Sequence, residues 1–203
     1  CRRFDQAIMV SPIDKRAVGA LDKVNVNPNG VDTEAFSFVL EGREPSTIIF
    51  SGNMGYFPNV DAVCWFSQKV FPLIKAHIPH VKFYVVGANP HKDIQRLNAE
   101  KNIIVTGFVD NIHEYLARAT VAVCPMRSGA GIQNKVLEAM ASGTPVVATE
   151  HVLGGIQATP GENIMIANEP KEFAERVVEL LKKPSLRRKL AMNARQLIEK
   201  KYQ

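Results

Sequence analysis

The chain has 203 residues, of which 46% are apolar, 22% charged and 7% aromatic, with a formal net charge of +5. This apolar fraction is ordinary for a globular protein, so the composition excludes a disordered, collagen-like or disulfide-stapled chain. No apolar stretch approaches the roughly 18 residues that a membrane-spanning helix needs.

The first 45 residues do not follow the pattern of the rest of the chain. They begin at Cys1 without an initiator Met or an apolar signal core, so we expect the chain to be a piece of a longer protein. Short apolar runs predict a strand over 6–10, a helix over 12–20 and a strand over 23–26. The turn sequence that follows, and a polar stretch ending at Pro45, predict an interdomain linker over 27–45.

From Thr47 onward, short β-branched runs alternate with stretches of helical spacing. The runs are almost wholly apolar, which is typical of strands buried on both faces. Strand–helix–strand repetition predicts an α/β fold with a Rossmann-like, doubly wound parallel sheet. The predicted strands are 47–51, 81–86, 103–106, 121–125, 145–149 and 163–166, and the last two predicted helices are 171–181 and 185–201, with Ser185 as the N-cap of the second.

The positive charge of the chain is concentrated near its C-terminus. Residues 182–201 hold eight basic side chains and one acid, so this window carries +7 and the rest of the chain −2. A solvated helix face, an anionic membrane surface and nucleic acid are three interpretations of such a patch. No nucleic-acid-binding signature accompanies it, and we expect no nucleic-acid partner.

The three cysteines, Cys1, Cys64 and Cys124, are far apart and share no metal-ligand spacing. Cys64 and Cys124 lie in apolar runs and are expected to be small core residues in a reducing compartment. The cytoplasm is therefore the predicted location. The five histidines form no repeated ligand pattern, and we predict no metal site.

Candidate binding loops follow the strands, because ligands of open parallel sheets bind beyond the carboxyl ends of the strands. Gly52 and Asn53 follow the first strand, and the absence of G-x-G-x-x-G there excludes a nicotinamide fingerprint. Gly87 follows the second strand. Phe108 and Val109 follow the third strand. Either their backbone faces a flat ligand such as a base, or the segment is only a turn before a helix that Asp110 or Asn111 caps.

The richest candidate site is the stretch 125–140, where a small-residue loop leads from a strand into a helix. Free N–H groups at such a helix start form an anion site, and a basic residue there opposes the helix dipole unless an anion binds. A surface ion pair between Lys135 and Glu138 is the structural alternative. The candidate contacts are Arg127, Gly129, Ala130, Gly131, Ile132, Lys135 and Glu138.

Residues 135–149 (KVLEAMASGTPVVAT) resemble the donor-site signature of the group 1, or family 4, retaining glycosyltransferases. The segments 29–32, 50–52 with Asn59, 85–87 and 106–110 also occur in the order found in that family. The resemblance implies the C-terminal half of a GT-B fold. Its implied organisation is the tail of an N-terminal acceptor domain over 1–26, the linker over 27–45, a nucleotide-sugar-binding domain over 46–183 and a crossover helix over 184–203.

The resemblance also implies individual roles. Glu138 matches the second Glu of the E-x7-E motif, which bonds the ribose, whereas the first Glu is replaced by Ala130. Lys135 matches a diphosphate contact of members with a G-x-G loop, a subset associated with exopolysaccharide synthesis. The backbone of Phe108–Val109 is expected to contact the base, and Gly52 and Asn53 to line the phosphates.

The implied activity is hexosyl transfer with retention from a UDP- or GDP-sugar, the substrate, to a glycan or lipid-linked acceptor. It needs no cofactor and no metal, because amides and cations stabilise the leaving diphosphate. The isolated chain is expected to be inactive, and contact with the inner face of the cell membrane is a further expectation. The alternatives are a nucleotide-sugar 2-epimerase and a non-catalytic nucleotide-binding module of the same fold.

Overall fold

The computed structural model describes residues 5–19, 21–129 and 131–203. Its centre is a six-stranded parallel sheet in the order β5-β4-β3-β6-β7-β8. Helices pack against one another around it, α3 with α7, α5 with α6, and α6 with α8. This confirms the predicted α/β, Rossmann-like fold. The strands are β3 (Thr47–Ser51), β4 (Lys82–Val86), β5 (Ile103–Gly107), β6 (Val121–Cys124), β7 (Val146–Ala148) and β8 (Met165–Ile166), and the helices are α2 (Phe57–Trp65), α3 (Phe71–His77), α4 (Lys92–Gln95), α5 (Ile112–Arg118), α6 (Asn134–Ala141), α7 (Pro170–Lys182) and α8 (Pro184–Lys201).

The central strands are buried because helices cover both faces of the sheet. All five residues of β3 are buried, and so are all four of β6. Beside them, Phe66 lies in the π-helical turn between α2 and α3 and contacts Phe83 of β4 with ring centroids 4.7 Å apart. Phe173 of α7 packs edge-on against Phe66 at 5.9 Å. This aromatic cluster fastens α2, α3 and α7 to one face of the sheet.

The N-terminal residues form a second, two-stranded sheet. Strands β1 (Ala7–Met9) and β2 (Val24–Val26) pair in parallel, with α1 (Pro12–Val18) between them. Ser11 caps α1 by accepting a hydrogen bond from Asp14 N, and Gly19, with φ of +68°, ends it. These are the strand, helix and strand predicted from the sequence, although Ala20 lies outside the described residues.

The segment 27–45 is packed against the domain along its length. Its Val31 N donates to Tyr202 O at 2.7 Å, just beyond α8, and its Val39 N donates to Ser142 O at 3.2 Å, beyond α6. The Arg195 guanidinium of α8 donates to Phe36 O of this segment at 3.1 Å and to Ala141 O of α6 at 2.9 Å. This segment and the last helix are thereby joined to the same corner of the domain.

The N-cap expected at Ser185 is wrong. Helix α8 begins one residue earlier, with Pro184 in its first turn, and Lys183 precedes it without a side-chain capping bond. Proline suits this position because its missing N–H would be unpaired there in any case. In the part of the chain that the structure describes, no helix combines the length and the apolar character that crossing a membrane requires.

Gly87, which follows β4, touches the backbone of Gly52, which follows β3. A Cβ on Gly87 would lie 1.7 Å from Gly52 O, and the residue has φ of +147°. We therefore expect Gly87→Ala to lower the free energy of unfolding by more than about 3 kcal/mol, combining overpacking with backbone strain. Denaturant titration measures this loss.

Gly161→Ala is the matched control, because Gly161 has φ of +78° but no atom within 4 Å of the added Cβ. It should lose only about 1–2 kcal/mol from backbone strain. Equal losses in the two variants would show that the close approach of the two loops is unimportant for stability.

Candidate functional site

Two glycine loops and one lysine meet at the carboxyl edge of the sheet. The loop after β3 and the loop after β4 are tied by hydrogen bonds from Gly52 N to Val86 O at 3.0 Å and from Met54 N to Ala88 O at 2.8 Å. Lys135, in the first turn of α6, reaches across to this pair, and a Cβ on Gly52 would lie 3.2 Å from its Cε. Glycine at position 52 therefore leaves the space that the lysine side chain occupies.

The Lys135 ammonium is held by neutral groups. Its Nζ donates to Asn59 Oδ1 at 2.7 Å and to Gln133 Oε1 at 3.3 Å, and lies 5.0 Å from the centroid of the Phe50 ring. Asn59 is buried, and its Nδ2 donates to Asn53 O at 2.9 Å. Both ends of the Asn59 amide are thus used to join the loop after β3 to the start of α6.

Among the described residues, no carboxylate lies within 4.0 Å of Lys135 Nζ, so the ion pair with Glu138 that the sequence left open is not formed. Burial lowers the pKa of Lys135, while Cys124 and Glu138 act in the opposite direction. Burial raises the pKa of Glu138, and the charge of Lys135 opposes that rise. Two half-buried ionisable groups one helical turn apart therefore carry charges that their surroundings disfavour, a pattern common at functional sites.

The start of α6 leaves backbone donors available. Gln133 precedes the helix, but its side chain makes no capping bond and instead accepts from Lys135. Unpaired N–H groups and the positive end of the helix dipole favour an anion at such a position. The lysine and the helix start therefore offer positive potential to one small volume.

The glycine loop before α6 is fastened on both sides. Gly129 and Gly131 have φ of +111° and +76°. His151 Nε2 donates to Gly129 O at 2.6 Å, and a Cβ on Gly155 would lie 2.6 Å from Gly131 O. The sequence did not single out His151, because nothing local to it indicates contact with a loop 22 residues away. Ile132 packs against the core, and Ala130 lies outside the described residues.

Arg127 is engaged differently from Lys135. Its Nε and Nη2 donate to the two carboxylate oxygens of Asp61, at 3.1 and 2.5 Å, and its guanidinium lies 5.8 Å from the centroid of the Trp65 ring. The charge of Arg127 is therefore compensated by α2. No local pattern indicated Asp61, which lies 66 positions away and becomes a neighbour only through the packing of α2 beside this edge.

The remaining predicted contacts lie along the same edge. Phe108 is 74% exposed, and Gly107, just before it, accepts a hydrogen bond from Gly87 N at 3.0 Å. Asn111 rather than Asp110 caps α5, by accepting from His113 N at 3.1 Å. Asn53 is exposed, and its Oδ1 accepts from Gly55 N at 3.0 Å.

Over the described residues, no group of three or more His, Cys, Asp or Glu side chains is arranged to hold a metal ion.

Residues 45–183 match the family model of the glycosyl transferases group 1. The chain belongs to this family. It is similar to the putative glycosyltransferase EpsD of Bacillus subtilis (strain 168), with 30% identity over 131 residues, which are 61% of this chain and 34% of EpsD.

S. aureus TarM and Anabaena Alr3699/HepE are among the solved structures that share its fold. S. aureus TarM, in complex with fondaparinux, α-GlcNAc-glycerol and UDP, matches with a TM-score of 0.83 and 18% identity over 100% of this chain and 42% of TarM. Anabaena Alr3699/HepE, in complex with UDP and glucose, matches with a TM-score of 0.78 and 19% identity over 98% of this chain and 60% of HepE. These likenesses confirm the C-terminal half of a GT-B fold, and the chain spans about a third to three fifths of these proteins.

The raised pKa of Glu138 has a consequence for stability. A carboxyl group whose pKa is higher in the folded state stabilises the fold fully below its unfolded pKa of about 4.3 and loses that contribution as the pH rises through its folded pKa. We therefore expect the neutral isostere Glu138→Gln to have a higher free energy of unfolding than the native chain at pH 7. The difference should shrink as the pH falls towards 4.

Urea titrations of both chains across this pH range measure the effect. Glu172→Gln is the control, because Glu172 is exposed on α7 and its replacement should change stability by less than about 0.5 kcal/mol at either pH. A loss of stability in Glu138→Gln at pH 7 would contradict the assignment of Glu138 as a half-buried carboxylate whose charged form is disfavoured.

Proposed function

We propose that this chain is the donor-binding part of a retaining, family 4 hexosyltransferase that transfers a sugar from a UDP- or GDP-sugar to a glycan or lipid-linked acceptor. The observation that carries the proposal is the half-buried ammonium of Lys135, which lacks a carboxylate partner in the described structure and lies in the first turn of α6. A diphosphate supplies the negative charge that this position favours.

In the proposed complex the donor diphosphate lies between Lys135 and the glycine loops. The N–H groups at the start of α6 and the backbone of Gly129 and Gly131 bond its oxygens, while Gly52 and Asn53 line it from the opposite side. These groups stabilise the negative charge that develops on the leaving diphosphate as its bond to the sugar breaks. Each such preorganised donor is typically worth about 10²–10³ in rate.

The other proposed contacts follow the same edge of the sheet. Glu138, one turn beyond Lys135, accepts hydrogen bonds from the ribose hydroxyls. The backbone of Phe108 and Val109, beyond β5, contacts the base, and Gly87 keeps the intervening backbone close enough for the loops to meet. Arg127, already paired with Asp61, contributes long-range positive potential rather than a direct bond.

The comparisons support a nucleotide-sugar as substrate, because TarM and HepE form complexes with UDP. We further propose that 1–26 is the tail of an acceptor-binding domain, 27–45 the linker, 46–183 the donor domain and 184–203 the crossover helix. On this proposal the chain alone binds donor but transfers no sugar. We propose that the enzyme acts in exopolysaccharide synthesis, that its reaction needs no metal, and that it is located in the cytoplasm.

Removal of the lysine tests the proposal directly. We expect Lys135→Ala to weaken UDP binding by about 10- to 100-fold, because a charge-assisted hydrogen bond contributes about 1.5–3 kcal/mol. Isothermal titration calorimetry with UDP- and GDP-sugars gives the affinities. Restoring the motif acid with Ala130→Glu should not tighten binding.

Lys171→Ala is the matched control, since Lys171 is exposed at the start of α7 and its loss should leave UDP affinity unchanged. If Lys135→Ala also binds UDP as the native chain does, Lys135 is not a diphosphate contact.

The lowered pKa of Lys135 predicts a pH dependence of donor binding. As the pH rises towards the usual lysine value of about 10.4, more of the unliganded chain holds a neutral amine, and binding a diphosphate must then take up a proton. We expect UDP affinity to fall over this range in the native chain and to fall less in Lys135→Arg, because arginine stays charged. Titration of the ligand itself is common to both proteins and cancels in their ratio. Parallel curves would contradict the role of the ammonium.

Peripheral membrane contact is proposed for one face of α8. Lys189, Met192, Gln196 and Lys200 recur at helical spacing and are exposed, with Met192 at 44%. Flotation with phosphatidylglycerol vesicles should show binding that salt weakens. The double variant Lys189→Glu with Lys200→Glu should abolish it, whereas Lys69→Glu, exposed in the turn after α2, should not. Equal binding by both variants would contradict this contact.

A further inference from the structure

A pocket of about 180 Å³ lies at the amino edge of the sheet, opposite the Lys135 site. It is formed by the linker, by the turn between α6 and β7, and by the start of α8. Three guanidinium groups line it, those of Arg43, Arg187 and Arg188, and of its described lining residues only Glu41 is acidic. The pocket is therefore a concentration of positive charge remote from the proposed donor site.

Arg43 supplies charge but few free hydrogen-bond donors. Its Nη1 donates to Leu116 O at 3.0 Å and to Ala119 O at 2.7 Å, and its Nη2 donates to Ser142 O at 3.0 Å and to Val39 O. In the described part of the chain no carboxylate lies within 4.0 Å of this group. Burial and the neighbouring charge of Arg187 lower the pKa of Arg43 to about 10, so it is still protonated at neutral pH.

Arg187 and Arg188 provide donors that the protein does not use. The Arg187 Nη1 donates to Leu180 O at 2.7 Å and Leu181 O at 3.1 Å, which leaves its Nη2 and Nε groups available. Arg188 is exposed, and within the described residues its side chain makes no hydrogen bond or ion pair. Guanidinium groups bind phosphate oxygens in pairs, so these two residues suit a phosphate group.

The room in the pocket fits such a ligand. A cavity needs roughly 10–15 Å³ of such space to hold one water molecule, so a pocket of about 180 Å³ has room for several. This is enough for a phosphate group together with part of its hydration shell. An anion there would offset the repulsion between Arg43 and Arg187, and it would hold the linker against α8.

We propose that the pocket lined by Arg43, Arg187 and Arg188 binds a phosphomonoester or inorganic phosphate, at a site separate from the donor site. The ligand is either a soluble anion or the headgroup of an anionic lipid, and both present the same phosphate chemistry. The proposal does not depend on the proposed transferase function, because the two sites lie at opposite edges of the sheet.

The experiment is a titration of the ¹⁵N-labelled chain with inorganic phosphate, followed by NMR. Amide signals of Glu41, Gly143 and Arg188 should shift and saturate, and they should do so equally in Lys135→Ala, which lacks the lysine of the donor site. Arg188→Gln should weaken this binding by about tenfold or more, and it should fold normally because Arg188 is exposed and unbonded. Lys182→Gln removes the same charge at the exposed end of α7, close by in the chain but not lining the pocket, and should bind phosphate like the native chain.

A second arm separates the two sources by flotation with vesicles that contain phosphatidic acid. Binding weakened by Arg188→Gln but not by Lys182→Gln assigns the site to a lipid headgroup. Saturable shifts with free phosphate but no such vesicle effect assign it to a soluble anion. The proposal is overturned if phosphate shifts only signals near Lys135, or if Arg188→Gln and Lys182→Gln behave alike in both arms.

Discussion

The site depends on one contact, the hydrogen bond from the Lys135 ammonium to the buried amide of Asn59. It joins the first turn of α6 to the loop after β3, and Gly52, which has no side chain, leaves room for the lysine. A neutral partner orients the ammonium without cancelling its charge. The same geometry with a carboxylate in place of the amide would form an ion pair and leave little potential for a ligand.

Two consequences follow for the balance between stability and function. Burial disfavours the charged forms of both Lys135 and Glu138, so the site lowers the stability of the unliganded chain. Arg127, which lies nearby, shows the contrast, because its bidentate contact with Asp61 compensates its charge locally. Because Arg127 is paired with a carboxylate and Lys135, within the described residues, is not, an anion that binds at this edge of the sheet is attracted mainly to Lys135.

Arginines at the opposite edge have a structural role: their guanidinium groups donate to carbonyls at helix C-termini that have no partner within the helix. Arg43 bonds carbonyls at the ends of α5 and α6, and Arg195 bonds Ala141 O of α6 together with Phe36 O of the linker. The linker and α8 are thereby joined to the domain through backbone acceptors. Part of the basic character of the C-terminal segment is therefore structural, which net charge alone did not reveal.

The sequence by itself determined the succession of strands, helices and binding loops along the chain. Strands buried on both faces must be continuously apolar, and the loops that approach a ligand closely must contain small residues. The sequence predicted β3 at Thr47–Ser51 and the candidate loop before Lys135, since local composition carries both signals. Only the tertiary structure decided that Asn59 meets Lys135, that Asp61 meets Arg127 and that His151 meets Gly129. These partners lie 22 to 76 positions apart, and a contact across such distances follows from how the crossovers stack the elements rather than from any pattern along the chain.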